Sequence, residues 1–157
     1  MSLDGYKEYT SLPDTKDLLL KIVQSKYNYQ LTEELCNNTI KALKDLGVPD
    51  CSVSTVPGAA EIPYAANMYA KRGGVDCIIA LGVVIQGKTD HHNIIANATS
   101  ITLNQISLKY ELPIINGILV TKNKKDAIKR CGHQINRGKE FAFAAVEMAK
   151  KKKKNYC

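Results

Sequence analysis

A chain of 157 residues with 45% hydrophobic and 24% charged side chains has the composition of an ordinary globular protein, long enough to bury one core and short for two. That composition excludes a disordered chain. The formal charge of +7 suggests an anionic partner, but Lys150–Lys154 supply five of those charges and leave +2 for the rest, so the run reads as a solvated, frayed tail and neither nucleic acid nor membrane is expected as a partner.

In chain order, apolar strands and helices alternate. The opening MSLDGYKEYTSLPDTKD lacks the apolar stretch of a leader, so no targeting segment or anchor is expected, and residues 1–16 read as loosely ordered. LLLKIVQ (18–24) reads as a short buried strand. LTEELCNNTIKALKDLG follows, with Leu31, Leu35, Ile40, Leu43 and Leu46 at helical spacing and Gly47 as its stop. CSVSTV (51–56) predicts a second strand, and PGAAEIPYAANMYAKRGG (57–74) a Pro-Gly turn, helical material and a double-glycine exit. VDCIIALGVVI (75–85) is the strongest strand signal, and it falls far short of the ~20 apolar residues that span a bilayer. NIIANATSITLNQISLKY (93–110) predicts a long helix. LPIINGILV (112–120) is a fourth strand that Asn116-Gly117 is expected to interrupt, KKDAIKRCG (124–132) a short helix, and GKEFAFAAVEMAKKKKK (138–154) a terminal helix running into the lysine tail. Strands buried on both faces and separated by helices require a sheet between two helix layers. The expected fold is therefore α/β, a three-layer α/β/α sandwich around a four-stranded, mainly parallel, flavodoxin-like sheet, formed by one domain spanning residues 1–157 with a Lys-rich tail at 150–157.

Cys36, Cys51, Cys77, Cys131 and Cys157 are an odd set with no C-x-x-C pair and no zinc spacing, which reads as reduced thiols in a cytoplasmic protein. The N-x-T matches at Asn37 and Asn97 accordingly read as chance.

In an open parallel sheet, ligands bind beyond the carboxyl ends of the strands, and the segments richest in chemistry fall there. SKYN follows the first strand, PGAAEIP the second and GKTDHHN the third. Gly87, Lys88 and Thr89 ahead of a helix combine a flexible turn, a cation and a hydroxyl, which either cap the helix or cradle a phosphate at its N-terminus. His91 and His92 follow within a turn, and histidine is the side chain suited to proton transfer near neutrality. Asp90, His91 and His92 are consecutive and no second cluster completes them, so no metal is expected. Glu61 either caps the following helix or receives polar groups of a ligand. Tyr27 offers a ring for stacking or for peripheral packing, and Arg130 is either a solvated charge or a phosphate clamp.

Taken together, SKYN, PGAAEIP, ALGVVIQGKTDH, PIINGIL, AIKRCG, NRG and AAVEMA, in that order over residues 25–149, resemble the 6,7-dimethyl-8-ribityllumazine synthase family of riboflavin biosynthesis. Its members show S-[RK]-[FW]-N, P-G-x-x-E-[IVL]-P, G-x-V-I-x-G-x-T-x-H, P-[VI]-x-x-G-[VIL]-L, A-x-x-R-x-G, N-[KR]-G and A-[AI]-E-M-A. The resemblance implies a transferase that condenses 5-amino-6-(D-ribitylamino)uracil with 3,4-dihydroxy-2-butanone 4-phosphate, releasing water and phosphate, with no metal or organic cofactor. It implies that His91 is the general acid/base, that Lys88, Thr89 and Arg130 hold the phosphate, and that Tyr27 stacks on the pyrimidine. Ala59, Ala60 and Glu61 would then surround the ribityl chain, Val83, Val84 and Ile85 would line the ring pocket, and Asn116 would meet the ring from the next subunit. Asn28, Gly58, Gly87 and Arg137 are further candidates within the same motifs. The resemblance also implies a homopentamer with active sites between subunits, Arg130 crossing the interface.

The chain departs from the family pattern mildly at Tyr27, where Phe or Trp is usual, and at three further places. Gln86 stands where Arg or Lys is usual, which removes a cation near the phosphate. His92 and Asn93 occupy the usual aromatic and acidic positions after the acid/base, so the acid that would orient His91 is absent. The stretch from Gly132 to Asn136 is about one residue shorter than in members that build hollow capsids. These changes keep a non-catalytic lumazine- or flavin-binding member as the alternative.

Overall fold

The computed structural model describes residues 14–155. Four strands, β1 (Leu20–Ser25), β2 (Cys51–Val56), β3 (Cys77–Ile85) and β4 (Ile114–Thr121), form one sheet in the order β2-β1-β3-β4. All neighbouring pairs are parallel. Five α-helices cover it: α1 (Tyr29–Asp45), α2 (Ile62–Arg72), α3 (His91–Tyr110), α4 (Lys124–Cys131) and α5 (Arg137–Lys153). This is the α/β/α sandwich that the alternation of strand and helix predicts.

The period of two along each strand divides the apolar residues between two cores. Leu20 and Ile22 of β1, with Ile79, Leu81 and Val83 of β3, pack against α1, α4 and α5. Val23, Ile78 and Ala80 face the other way, onto α2 and α3. Central β1 is buried throughout, as is β3 up to Val83, while the edge strands β2 and β4 alternate with exposed residues. Edge position explains the difference, since only a strand with neighbours on both sides and helices on both faces needs a continuous apolar run.

Element boundaries move by a few residues from the sequence reading, as helix and strand ends commonly do. The largest functional consequence is at α3, which starts at His91 rather than Asn93. Gly47 ends the α1 region with a φ of +86°, a conformation that favours glycine. Asn116-Gly117 does not interrupt β4, whose ladder to β3 runs unbroken from Ile114 to Thr121. Gly117 is there because β4 lies flush against its neighbours: a Cβ would come within 2.7 Å of Leu81 Cδ2 and 2.8 Å of the Ala80 carbonyl oxygen.

The amino ends of the strands are closed by internal partners. Asp76, buried before β3, accepts the Leu19 N–H through Oδ2 at 2.8 Å, and Lys152 and Lys153 Nζ lie 4.0 and 3.5 Å from its carboxylate. The lysine run expected to fray instead continues α5 to Lys153. Of the opening expected to be loosely ordered, residues 1–13 lie outside the described residues, and Thr15 is buried with its hydroxyl donating to the Leu46 carbonyl at 2.8 Å. Among the described residues no helix is long and apolar enough to cross a membrane.

Candidate active site

The chain leaves β1 for β2 on one side and returns to β3 on the other. At this reversal the loops after β1 and β3 diverge, and a crevice opens beyond the carboxyl ends of the strands. A cleft of about 410 Å3 occupies the place, within the usual range for a small-molecule site. Its walls come from four segments: Tyr27 and Asn28 after β1, Gly58, Ala59 and Ala60 after β2, Val83, Val84 and Ile85 ending β3, and Gly87, Thr89, His91, His92 and Ile95 at the start of α3.

Backbone hydrogen bonds hold the first two walls together, with Lys26 N–H donating to the Val56 carbonyl at 2.8 Å and Tyr27 N–H to the Pro57 carbonyl at 3.0 Å. Asn28 takes a left-handed conformation (φ 56°), which asparagine tolerates better than most residues, and its amide donates to the Val83 carbonyl at 2.8 Å. That bond ties the β1 exit to β3, and the neighbouring Tyr27 is 72% exposed. Glu61 ends a short 3-10 turn, Ala59–Glu61. Its carboxylate accepts the Gly58 N–H at 2.8 Å, back across that turn, and as the N-cap residue of α2 it makes no side-chain capping hydrogen bond to the helix that follows.

At the other wall, the N-cap of α3 is Asp90, which makes no side-chain capping hydrogen bond. The amides of the first turn are left without a side-chain acceptor at the positive end of a 20-residue helix. His91, the first helical residue, is exposed at the cleft. His92 Nδ1 lies 3.0 Å from the Thr89 carbonyl oxygen, which orients that ring along the turn.

The profile of the 6,7-dimethyl-8-ribityllumazine synthase family matches residues 17–153. Proteins named 6,7-dimethyl-8-ribityllumazine synthase are similar over most of their length. The one from Coxiella burnetii is 42% identical over 134 residues, covering 83% of this chain and 89% of its own. The one from Pyrococcus furiosus is 40% identical over 132 residues, 84% of this chain and 83% of its own. The chain belongs to the lumazine synthase family. The protein of that name from Neisseria gonorrhoeae is 37% identical over 138 residues, 87% of this chain and 85% of its own.

Not every residue that the lumazine synthase motifs single out reaches the cleft. Tyr27, Asn28, Gly58, Ala59, Ala60, Val83, Val84, Ile85, Gly87, Thr89 and His91 line it. Glu61 and Lys88 stand beside it, Lys88 exposed on the turn. Asn116 is exposed in the middle of β4, with its Oδ1 accepting the Ile118 N–H at 3.1 Å. Arg130 donates to the Asp126 carbonyl at 3.3 Å on α4, in the helix layer opposite α2 and α3. Arg137 pairs with Glu140 at 2.7 Å on the first turn of α5. His92, which the resemblance sets at a position usually aromatic and gives no role, also lines the cleft, and Ile95 is a lining residue that was not a candidate. Ile95 follows His91 by four residues and so shares its helix face, a signal visible only once the helix is known to begin at His91.

Proposed function

We propose that this chain is the transferase that condenses 5-amino-6-(D-ribitylamino)uracil with 3,4-dihydroxy-2-butanone 4-phosphate to 6,7-dimethyl-8-ribityllumazine, in riboflavin biosynthesis. The observation that carries the reading is the convergence of three of the family's motifs, SKYN, PGAAEIP and GVVIQGKTDH, on one cleft, a stacking ring and a polar turn on one side and an uncapped helix N-terminus with His91 on the other. Both substrates are small molecules, and the reaction needs no group that the chain does not supply.

Each wall has a task in this mechanism. Tyr27 lies against the flat face of the pyrimidine, and the Gly58–Ala60 turn with Glu61 receives the ribityl hydroxyls. The phosphate sits on the amides of the α3 N-terminus with Thr89 and Lys88, because those N–H groups and the helix dipole favour an anion. Gln86 contributes no charge there, so Lys88 and Arg130 are the cations of the phosphate site. His91 then accepts a proton from the pyrimidine amine as nitrogen attacks the ketone carbon, and returns a proton to oxygens that depart as water and phosphate. General acid/base transfer of this kind contributes ~10²–10⁴-fold. Much of the rest comes from holding the two reactants in contact, a step in which effective concentration replaces diffusion.

The reading includes a homopentamer. Arg130 lies in the helix layer opposite the cleft of its own chain, so it serves a phosphate only in a neighbour's site. On the outer face of α3, Ile94, Ile101 and Leu108 are exposed at 63%, 58% and 80%, a stripe at seven-residue spacing that a neighbouring copy covers. The free, mostly buried Cys36, Cys51, Cys77 and Cys131 support a reducing, cytoplasmic compartment.

Absorbance in the lumazine band, recorded after mixing the two substrates with and without protein, tests the function. A rate proportional to protein concentration and depressed in His91→Ala supports the synthase. No acceleration over the unaided condensation, with lumazine or flavin still bound, identifies a binding protein in which the changes at Gln86, His92 and Asn93 have removed the chemistry.

A further inference from the structure

Among the described residues, Ser25 Oγ is the one buried side-chain polar atom without a hydrogen-bond partner. Its residue is 1% exposed, and a buried hydroxyl left unpaired destabilises the protein that carries it. Its position is specific. Ser25 is the last residue of β1, beside Val56 on β2 and, one step beyond the Gln24–Leu81 pair, beside Gly82 on β3. A Cβ on Gly82 would lie 3.3 Å from Ser25 Oγ, 3.4 Å from Ile62 Cδ1 and 3.6 Å from Ala59 Cβ. The hydroxyl therefore faces the layer of α2 and α3 and shares the space over Gly82 with Ile62 and with Ala59 of the turn that walls the cleft.

We propose that Ser25 is a further positioning residue of the site, its hydroxyl satisfied when the polyol arm of the pyrimidine substrate seats against the Gly58–Ala60 turn. The inference rests on the substrate reading above. Ala59, 8% exposed, lines the cleft and Ser25 does not, so Ser25 reaches the ligand past that turn by one ordered water. Two features select the polyol arm over the phosphate. Gly82 lies three residues short of the end of β3, roughly 10 Å along the strand from the turn that takes the phosphate. The side chains that share the space over Gly82 with the hydroxyl are Ile62 and Ala59, which offer an anion no counter-charge, whereas a neutral hydroxyl that both donates and accepts matches another of its kind.

A hydroxyl kept for a ligand and a hydroxyl kept for the fold give opposite signs on removal. In Ser25→Ala, the melting temperature of the ligand-free protein should stay level or rise, while calorimetry shows Kd for 5-amino-6-(D-ribitylamino)uracil weakened roughly fivefold to tenfold, the loss of one neutral hydrogen bond. Binding of 5,6-diaminouracil, which lacks the arm, and the KM for butanone phosphate should not change. Ser25→Cys, close in size and a weaker donor, should fall between. A lowered melting temperature with unchanged Kd would make Ser25 part of the fold and overturn the proposal, as would equal weakening of both uracils. No binding of either uracil by the unsubstituted protein would instead overturn the substrate reading, and this inference with it.

Discussion

The two ends of the sheet are built from the same strands but treat their polar groups differently. At the amino ends, Asp76 takes a backbone N–H and two lysines, Thr15 closes on Leu46, and Cys77 is sealed in the core. At the carboxyl ends, a hydroxyl is buried without a partner, a helix begins without a side-chain cap, Asn28 holds a left-handed turn and His91 is exposed. One end spends its polar groups on the fold, and the other leaves them available to a ligand. Stability and chemistry are thus separated along the strand axis by the length of the sheet.

The separation fails if substitutions at the two ends act alike, and the largest effect should come from the open end. His91→Ala should lower kcat by ~10²–10⁴-fold while unfolding free energy changes by no more than about 0.5 kcal/mol, as chemical denaturation would show. Arg130→Ala should raise the KM for butanone phosphate by roughly 10–100-fold, the range for hydrogen bonds to a charged partner, with kcat nearly kept and no change in the KM of the pyrimidine. An equal, small effect of both substitutions would remove the roles assigned to them.

The closed end should answer the other way. Asp76→Ala should cost about 1–3 kcal/mol of stability by leaving the Leu19 N–H without its buried acceptor, with kcat intact. Burial pushes the Cys36 thiol up to about 11 and the Cys51 and Cys131 thiols to about 12. The unfolded chain therefore loses these protons first as pH rises from about 9, so the folded state binds more protons in that window. Stability should be fully present below it and decline between pH 9 and 12, and alkylation of these thiols in the native protein should be slow at neutral pH. The smallest effect belongs to Lys151→Ala, whose pair with Glu147 at 3.9 Å is exposed and worth less than about 0.5 kcal/mol.

Much of the fold was legible because its signals are local. VDCIIALGVVI reads as a buried strand from its own residues, and β3 is the most extensively paired strand of the sheet. The segments SKYN, PGAAEIP and GVVIQGKTDH were legible as a set, since loops at the carboxyl ends bring them to one crevice whatever the intervening helices do. Asn116-Gly117 misled because glycine in a strand marks either a break or a close approach of backbones, and the packing of Leu81 and Phe141 against Gly117 has no local signature. The lysine run misled in the same way, since its partner Asp76 lies far back in the chain.

By itself the sequence determined the order and type of the elements, the candidate chemistry at the strand ends and the family, because periodicity, turn residues and motif spacing are properties of short segments. Only the tertiary structure decided which of those residues share a cleft. The two helix layers put Arg130 on the face away from His91, the start of α3 at His91 brought in Ile95, and strand pairing buried Ser25 beside Gly82. Those outcomes depend on which side of a sheet each segment crosses, a through-space relation that no window along the chain contains.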